Sequence, residues 1–452
     1  MGTETLGKRH IFTPTKPVLL SVAVITALVA RTAAVLVMGD ISPGANLWEY
    51  GDQAACALQH GGDLCLFYPQ SGSDHSPSAA SYPSAYMPPL LSYLWLGLFE
   101  LFGNGAVARA CWLAINIAVA LGCVALVFRL SLKLWPSKWA AFAAAMILAL
   151  YPTFIVVSAV YHQTNWAVLL LLIVTAIAVE LPTTQRPWLY GTLGGIACGL
   201  AALNRSEMLV IGPLLIALGA LWRRNLAAVL KVGLAGGLTT ILILAPWTVR
   251  NYQHFGEFIP TAQSSGYNLW KGYNTFTNGS GNLSEDVNDA EGQRLLVISR
   301  SAPHDDRYET HVQDIYEEAF KTDLTNAPAT RLLQLTANKV LLLWGFDWTD
   351  REITLRPAYL LPWLVVNSLA VFGFVMAVRR RRSVHKAAAS IYAAAFGLLT
   401  VAYALTAVHA RYRMHIEPFL FILAGIGVEG LWIWLMAKKR GRFGDGSGQV
   451  AD

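Results

Sequence analysis

The chain has 452 residues, 55% of them apolar and only 14% charged, with a formal net charge of +6. Its apolar runs reach the ~20 residues that cross a hydrocarbon core of about 30 Å, which excludes a soluble protein. The positive charge lies in short clusters beside those runs, the pattern of the positive-inside rule rather than of a nucleic-acid footprint.

In chain order, Lys8, Arg9 and Lys16 put the N-terminus in the cytoplasm, and a first span from about 17 to 38 crosses outward. It has no small-residue cleavage site, so it reads as an uncleaved span. Residues 39–105 follow as a long outer loop without Lys or Arg but with Asp40, Glu49, Asp52, Asp63, Asp74 and Glu100. Its apolar end, Leu90–Phe102, starts after Pro88-Pro89 and is short for a span. If it crossed, Arg129, Lys133 and Lys138 would face outward, so it is read as interfacial. Spans then follow at about 106–128, 139–160, 166–180, 188–203, 208–221 and 227–247. A mostly polar outer segment runs to about Arg356, with amphipathic helices around Asp314–Lys321 and Ala329–Lys339 and an interfacial Leu341–Trp348. Spans at about 358–378, 387–408 and 418–437 close the bundle, and Arg379–Arg382 and Lys438–Arg442 fall inside. The tail from Gly444 reads as disordered.

The expectation is an all-α polytopic membrane protein of about ten transmembrane helices, with both termini cytoplasmic and interfacial helices in the large first loop. It divides into residues 1–249 (a membrane module holding loop 39–105), 250–356 (an outer-face segment), 357–437 (C-terminal helices) and 438–452 (a tail). Cys111, Cys123 and Cys198 lie in apolar helices as packing residues. Cys56 and Cys65, in the loop, are equally well a disulfide or two free thiols. Asn278-Gly-Ser280 and Asn282-Leu-Ser284 match glycosylation sequons.

Unusual polar residues collect at the outer ends of spans: Glu49 and Asp52, then His162, Gln163 and Asn165, then Asn204, Arg205 and Glu207. Arg250 and Asn251, and later Arg411 and Arg413, complete the set. Arginines on the side that the charge rule disfavours suit bidentate phosphate contacts. A carboxylate is the group expected to deprotonate a hydroxyl nucleophile. Glu49 is the first choice, with Asp52 on the same helical face and Asp40 as reserves. His162 at a helix end reads as a polar cap. No cluster has metal-ligand spacing, and no P-loop or Rossmann glycine pattern is present, which points away from a nucleotide-sugar donor and toward a lipid-linked one.

The stretches NLWEYGDQAACALQHGGDL and YPSAYMPPLLSYLWLGLFELFG, then GLAALNRSEMLVIGPL, APWTVRNYQHFGEFIPTAQSSGYNLWKGYN and ARYRMHIEPFLFILAG carry a resemblance. They resemble the C superfamily (GT-C) of membrane glycosyltransferases, in particular the dolichyl-phosphate-mannose protein mannosyltransferases and the lipid A aminoarabinose transferases. The resemblance implies spans around an outward cavity capped by the first loop. It implies a polyprenyl-phosphate-linked sugar as donor, a glycan, lipid or protein hydroxyl as acceptor, and inversion at the anomeric carbon. The active site would face the periplasm or cell exterior of a bacterial plasma membrane. On this chain it implies Glu49 as the acid that acts as base or orients the acceptor, and Arg205, Arg250, Lys271, Arg411 and Arg413 as donor-phosphate ligands. Tyr86, His162, Gln163 and Asn251 would line the substrate site. Two departures stand out. Tyr161-His162-Gln163 replaces a second acid, which leaves use of a divalent cation open. Tyr86-Met87-Pro88 replaces a Glu-Lys pair, which argues against aminoarabinose. The rival reading is a non-enzymatic transporter or assembly factor for lipid-linked glycans, which should place ionisable groups near the bilayer midplane.

Overall fold

A computed structural model describes residues 14–69, 80–281, 290–345, 355–380 and 384–444. Lys8, Arg9, Asp74, Asn282-Leu-Ser284, Trp348, Arg381, Arg382 and the last eight residues lie outside the described residues. The fold is helical apart from one small hairpin, β1 (Cys65–Phe67) paired antiparallel with β2 (Ser81–Pro83). The first part of the bundle is built from α1 (Lys16–Met38), α4 (Ala106–Leu134), α5 (Lys138–Leu150), α6 (Pro152–Val156), α7 (Thr164–Glu180), α8 (Pro187–Ala202), α9 (Met208–Leu221) and α10 (Leu226–Phe255). The first loop contributes α2 (Trp48–Gln59) and α3 (Leu90–Phe102). The outer segment holds α11 (Ser265–Tyr273), α12 (Ala290–Arg300), α13 (Tyr308–Asn326) and α14 (Ala329–Trp344). Three more complete the chain: α15 (Pro357–Arg379), α16 (Lys386–Ala404) and α17 (Glu417–Gly444).

Six of these helices are long and apolar enough to cross a membrane singly. α5 with Pro152–Ala159, bent by 57°, makes a seventh if the bent pair is counted as one span. Each of the ten expected spans coincides with a helix or with this pair, but α7, α8 and α9 are shorter than a full crossing, so the count of ten is not established by length. The bend has a local cause. Tyr151 is extended ahead of Pro152, which leaves carbonyls at the end of α5 without helical donors. Arg31, fully buried in α1, supplies them: its Nη1 donates to Ala149 O at 2.9 Å and its Nη2 to Leu148 O at 3.1 Å. Close helix crossings use small residues. A Cβ at Gly373 of α15 would lie 1.9 Å from Leu423 O on α17.

α3 has 13 residues, about 20 Å of helix, which is short of a ~30 Å hydrocarbon core. It lies against the bundle with Trp95 stacked on Trp112 of α4 at 5.5 Å and edge-on to Tyr161. The two ends of the bundle differ. At one, Glu180 binds Arg129 and Lys133, Arg223 donates to Leu181 O, Trp222 to Ser390, and Lys138 to Pro14 O. At the other lie the first loop and the outer segment. α10 continues past the expected end of its span to Phe255, and the amphipathic helices expected at 314–321 and 329–339 are parts of α13 and α14. Cys56 and Cys65 are joined in a disulfide, with Cα atoms 5.5 Å apart, which ties α2 to the hairpin.

Candidate active site

At the loop-bearing end is a cavity of about 640 Å³. Its wall comes from six places apart in sequence: the start of α2, the Tyr86–Pro88 stretch before α3, the turn before α7, the turn between α8 and α9, α11 with the residues just before it, and the segment from Ala402 to Tyr412. It brings together Glu49, Tyr86, His162, Gln163, Arg205, Lys271 and Arg411 from the expected set.

Glu49 stands at the first turn of α2, behind a backbone distortion. Trp48 has φ 58, a conformation that L side chains seldom adopt. Its indole is fixed edge-on to His162 at 5.0 Å and lies under the Arg411 guanidinium at 5.4 Å. Strain of this kind persists where the surroundings over-determine it. Glu49 is half-buried and, among the described residues, makes no hydrogen bond or ion pair.

Arg205 is clamped. Its Nε pairs with Glu207 Oε1 at 2.5 Å, and its guanidinium lies 5.0 Å from the Tyr412 ring and 5.7 Å from the Tyr403 ring. Tyr403 Oη donates to Glu207 Oε1 at 2.9 Å and lies 2.7 Å from His415 Nδ1. With the Gln163 amide turned so that its oxygen faces Arg205 Nη1 at 3.2 Å, Arg205 is held on a second side while it lines the cavity. Lys271 lies 5.1 Å over the Tyr267 ring. Burial, then Arg411, push its ammonium down to about 8, against the pull of Glu49. His162 is pushed down to about 3, by burial first and then by Arg411 and Arg205. It is a neutral, weak base, and its Nδ1 lies 2.7 Å from Thr164 Oγ1 in the first turn of α7, the cap-like place that the sequence suggested.

Five expected residues lie elsewhere. Arg250 holds the first loop to α10, with Nε on Asp63 Oδ1 at 2.8 Å, Nη1 on Ser84 O at 3.1 Å and Nη2 on Leu64 O at 2.5 Å. Asn251 donates to Ile259 O and shapes the turn after α10. Arg413 is buried against Glu417 at 3.0 Å, Gly345 O and the Tyr359 hydroxyl. Residues 410–415 form a 3₁₀ turn, in which positions two apart are about 240° apart. Arg411 and Arg413 therefore face different ways. Asp40 accepts from Ser42 N at 2.9 Å in an exposed turn. Asp52 is exposed on α2 and does not line the cavity.

Sequence reasoning passed over Tyr403, Tyr412, Tyr267 and His409, all in the cavity wall. The available signal was the aromatic spacing around Arg411, YALTAVHARYRMH, at the end of an apolar run. It also passed over Glu309 of α13, which is fully buried beneath the cavity rim. Glu309 accepts from Ser84 Oγ at 2.9 Å and Ala85 N at 2.5 Å, beside the cavity residue Tyr86. Burial pushes its carboxyl up to about 7 despite those two donors. Among the described residues one ligand-like group appears, Cys56, His60 and Cys65, and the disulfide takes both thiols.

Comparison with known proteins follows the same lines. The sequence profile of Glycosyltransferase family 87 matches residues 86–285, a little under half of the chain. No curated protein matches the chain in sequence. The oligosaccharyltransferase of Archaeoglobus fulgidus, in the apo form, superposes with a TM-score of 0.56 at 12% identity, over 97% of this chain and 53% of that one. The same organism's AglB, in complex with an inhibitory peptide and a dolichol-phosphate, gives 0.55 at 13% identity over 97% and 52%. The chain thus spans about half the length of these neighbours. ArnT from Cupriavidus metallidurans bound to undecaprenyl phosphate is a looser likeness, with a TM-score of 0.41 at 14% identity over 90% and 77%. By fold along nearly its whole length, and by sequence over residues 86–285, the chain is similar to the GT-C membrane glycosyltransferases.

Proposed function

We propose that the protein is an integral membrane glycosyltransferase. It moves a hexosyl or pentosyl unit from a polyprenyl-phosphate-linked donor to a hydroxyl of a cell-envelope glycan, lipid or protein, with inversion. One observation carries the reading: a carboxylate without a partner, Glu49, shares a cavity with three cations, Arg205, Lys271 and Arg411, where the bundle meets its outer segment. The likeness to an oligosaccharyltransferase seen with dolichol-phosphate supports the donor class.

In this reading Glu49 takes the acceptor proton as the hydroxyl oxygen attacks the anomeric carbon from the side opposite the phosphate. The bond from that carbon to the phosphate oxygen breaks, and the lipid phosphate leaves with the electron pair. Arg205, Lys271 and Arg411 meet the charge that develops on it, where fixed donors act most strongly. Tyr86, Gln163 and Tyr267 form the wall against which the sugar and acceptor lie. A divalent cation fits the described residues poorly. Glu207 is committed to Arg205 and Tyr403, so Glu49 is the single free carboxylate among those lining the cavity. From the outer segment, α11 and the residues just before it close one side of the site. The disulfide and the basic residues gathered at the opposite end suit a cavity facing the cell exterior or periplasm, with cytoplasmic termini.

The rival transporter needs working charges inside the spans. Among the described residues the buried charges on the long apolar helices are engaged with protein groups: Arg31 with the carbonyls at the α5 break, Arg109 with Asn104, and Glu417 with Arg413. The test is transfer from a labelled polyprenyl-phosphate sugar in membranes carrying the protein. Glu49→Gln is expected to cut transfer by about 10²–10⁴-fold at unchanged protein level, the usual worth of a general base. Full activity in that variant would remove Glu49 from the mechanism.

A further inference from the structure

A second hollow, of about 830 Å³, lies away from the cavity, between α15 and α16 over a floor of Phe419, Leu420 and Leu423 from α17. Its walls are apolar, with Val371, Phe374 and Val378 on α15 facing Phe396 on α16. Two polar side chains that reach it are already satisfied: Tyr392 Oη donates to Leu130 O and Asn367 Nδ2 to Trp363 O, both at 2.8 Å. α15 packs on α17 and leaves Val371, Phe374 and Val378 exposed. In a membrane-spanning helix that bare face meets lipid.

The slot has a charged end. Lys386 lines it at the start of α16, and Arg379 closes α15 one residue beyond Val378, followed by Arg380. Among the described residues none of the three makes an ion pair. The acids at this end are taken: Glu180 by Arg129 and Lys133, Glu429 by Trp135 and Ser137.

We propose that this slot binds an anionic diacyl lipid, with an acyl chain between α15 and α16 and the headgroup phosphate at Lys386 and Arg379. Inside a bilayer the apolar walls do not by themselves select an occupant, because any lipid tail is equally apolar. Selection comes from the rim, where cations without protein partners complement a negative headgroup. The site lies at the opposite end of the bundle from the glycosyl-transfer cavity and does not depend on that activity.

Native mass spectrometry of the full-length protein in mild detergent tests this, with an equimolar mixture of phosphatidylglycerol and phosphatidylcholine as probe. The expected result is a phosphatidylglycerol adduct that outlasts the phosphatidylcholine one under collisional activation. Lys386→Glu should lower that preference by about fivefold or more, the worth of one cation near a headgroup. Ala393→Trp, at an exposed position in the slot, should remove the adduct by filling the space. If the tryptophan variant does not fold, the exposed Lys386→Glu change decides alone. Equal retention of the two lipids, no retained lipid, or a preference that survives Lys386→Glu would overturn the proposal. Co-purification of a polyprenyl phosphate in the slot, in place of a diacyl lipid, would overturn it as well.

Discussion

Two regions of the molecule use the same side-chain types in opposite ways. In the seam between the first loop, α10 and α13, Asp63 is bound by Arg250 and His254, and Glu309 by Ser84 and Ala85. Every charge there answers another group, and the result is a joint. In the cavity, Glu49 has no partner among the described residues, Arg205 lines the hollow while Glu207 and two tyrosine rings hold it, and Arg411 rests on an aromatic face. An arginine whose donors are all used holds a fold together. One whose donors face a hollow is available to a ligand.

The sharpest way to break this contrast is to neutralise one carboxylate from each region. Glu49→Gln should remove nearly all transfer, by about 10²–10⁴-fold, with no loss of thermal stability. Glu309→Gln should leave transfer within a few-fold, since Glu309 does not line the cavity; the amide keeps one acceptor oxygen but turns its NH2 toward Ser84 or Ala85, so the cost should appear as a lowered Tm. Equal activity losses in the two, read in the same transfer assay, would abolish the distinction.

Next in size are the cavity arginines. Arg205→Met and Arg411→Met should each lower kcat/KM for the lipid donor by about ten- to a hundredfold, the range of a charge-assisted hydrogen bond of ~1.5–3 kcal/mol. Acceptor KM should stay near its starting value. Arg413→Met should differ from both: it strands the buried Glu417, so it should show as lost expression or a lowered Tm rather than as a donor effect.

Arg250→Met tests the seam from the other side. Asp63 is 42% exposed and solvent screens it, so the loss is about 2 kcal/mol rather than the full cost of a buried pair. A lower Tm with near-normal transfer per folded molecule is expected. A donor-specific KM effect without a Tm change would return Arg250 to the phosphate site.

Much of this arrangement was legible from the sequence, because membrane helices announce themselves locally. Apolar runs and basic clusters located the helices, and the two prolines before Leu90 with its short run marked α3 as no ordinary span. Glu49, Arg205 and Arg411 could be picked out because charge beside an apolar run is conspicuous. What sequence could not separate was Arg411 from Arg413, or Arg205 from Arg250. That separation depends on the 3₁₀ turn at 410–415 and on where Asp63 and the Ser84 carbonyl arrive, both long-range facts. Tyr403 and Tyr412 escaped for a related reason: an aromatic residue at a span end reads as a membrane-interface anchor until its cavity face is known.

The smallest effect is a pH dependence that tells the two regions apart. Lys271, held down to about 8 by burial and Arg411, is half charged near that pH in the free protein. A donor phosphate needs the protonated form, so kcat/KM should fall as pH rises through about 8, by at most the tenfold or so that one cation contributes. In kcat the same limb should move to higher pH, because bound phosphate stabilises the ammonium. His162, pushed down to about 3, does not titrate in this window, whereas Glu309, pushed up to about 7, does. Lys271→Arg, which keeps its charge, should therefore flatten the limb near 8 and leave any near 7. Glu309→Gln should do the reverse. A limb near 8 that persists in Lys271→Arg would assign it to another group and leave Lys271 as a wall residue stacked on Tyr267.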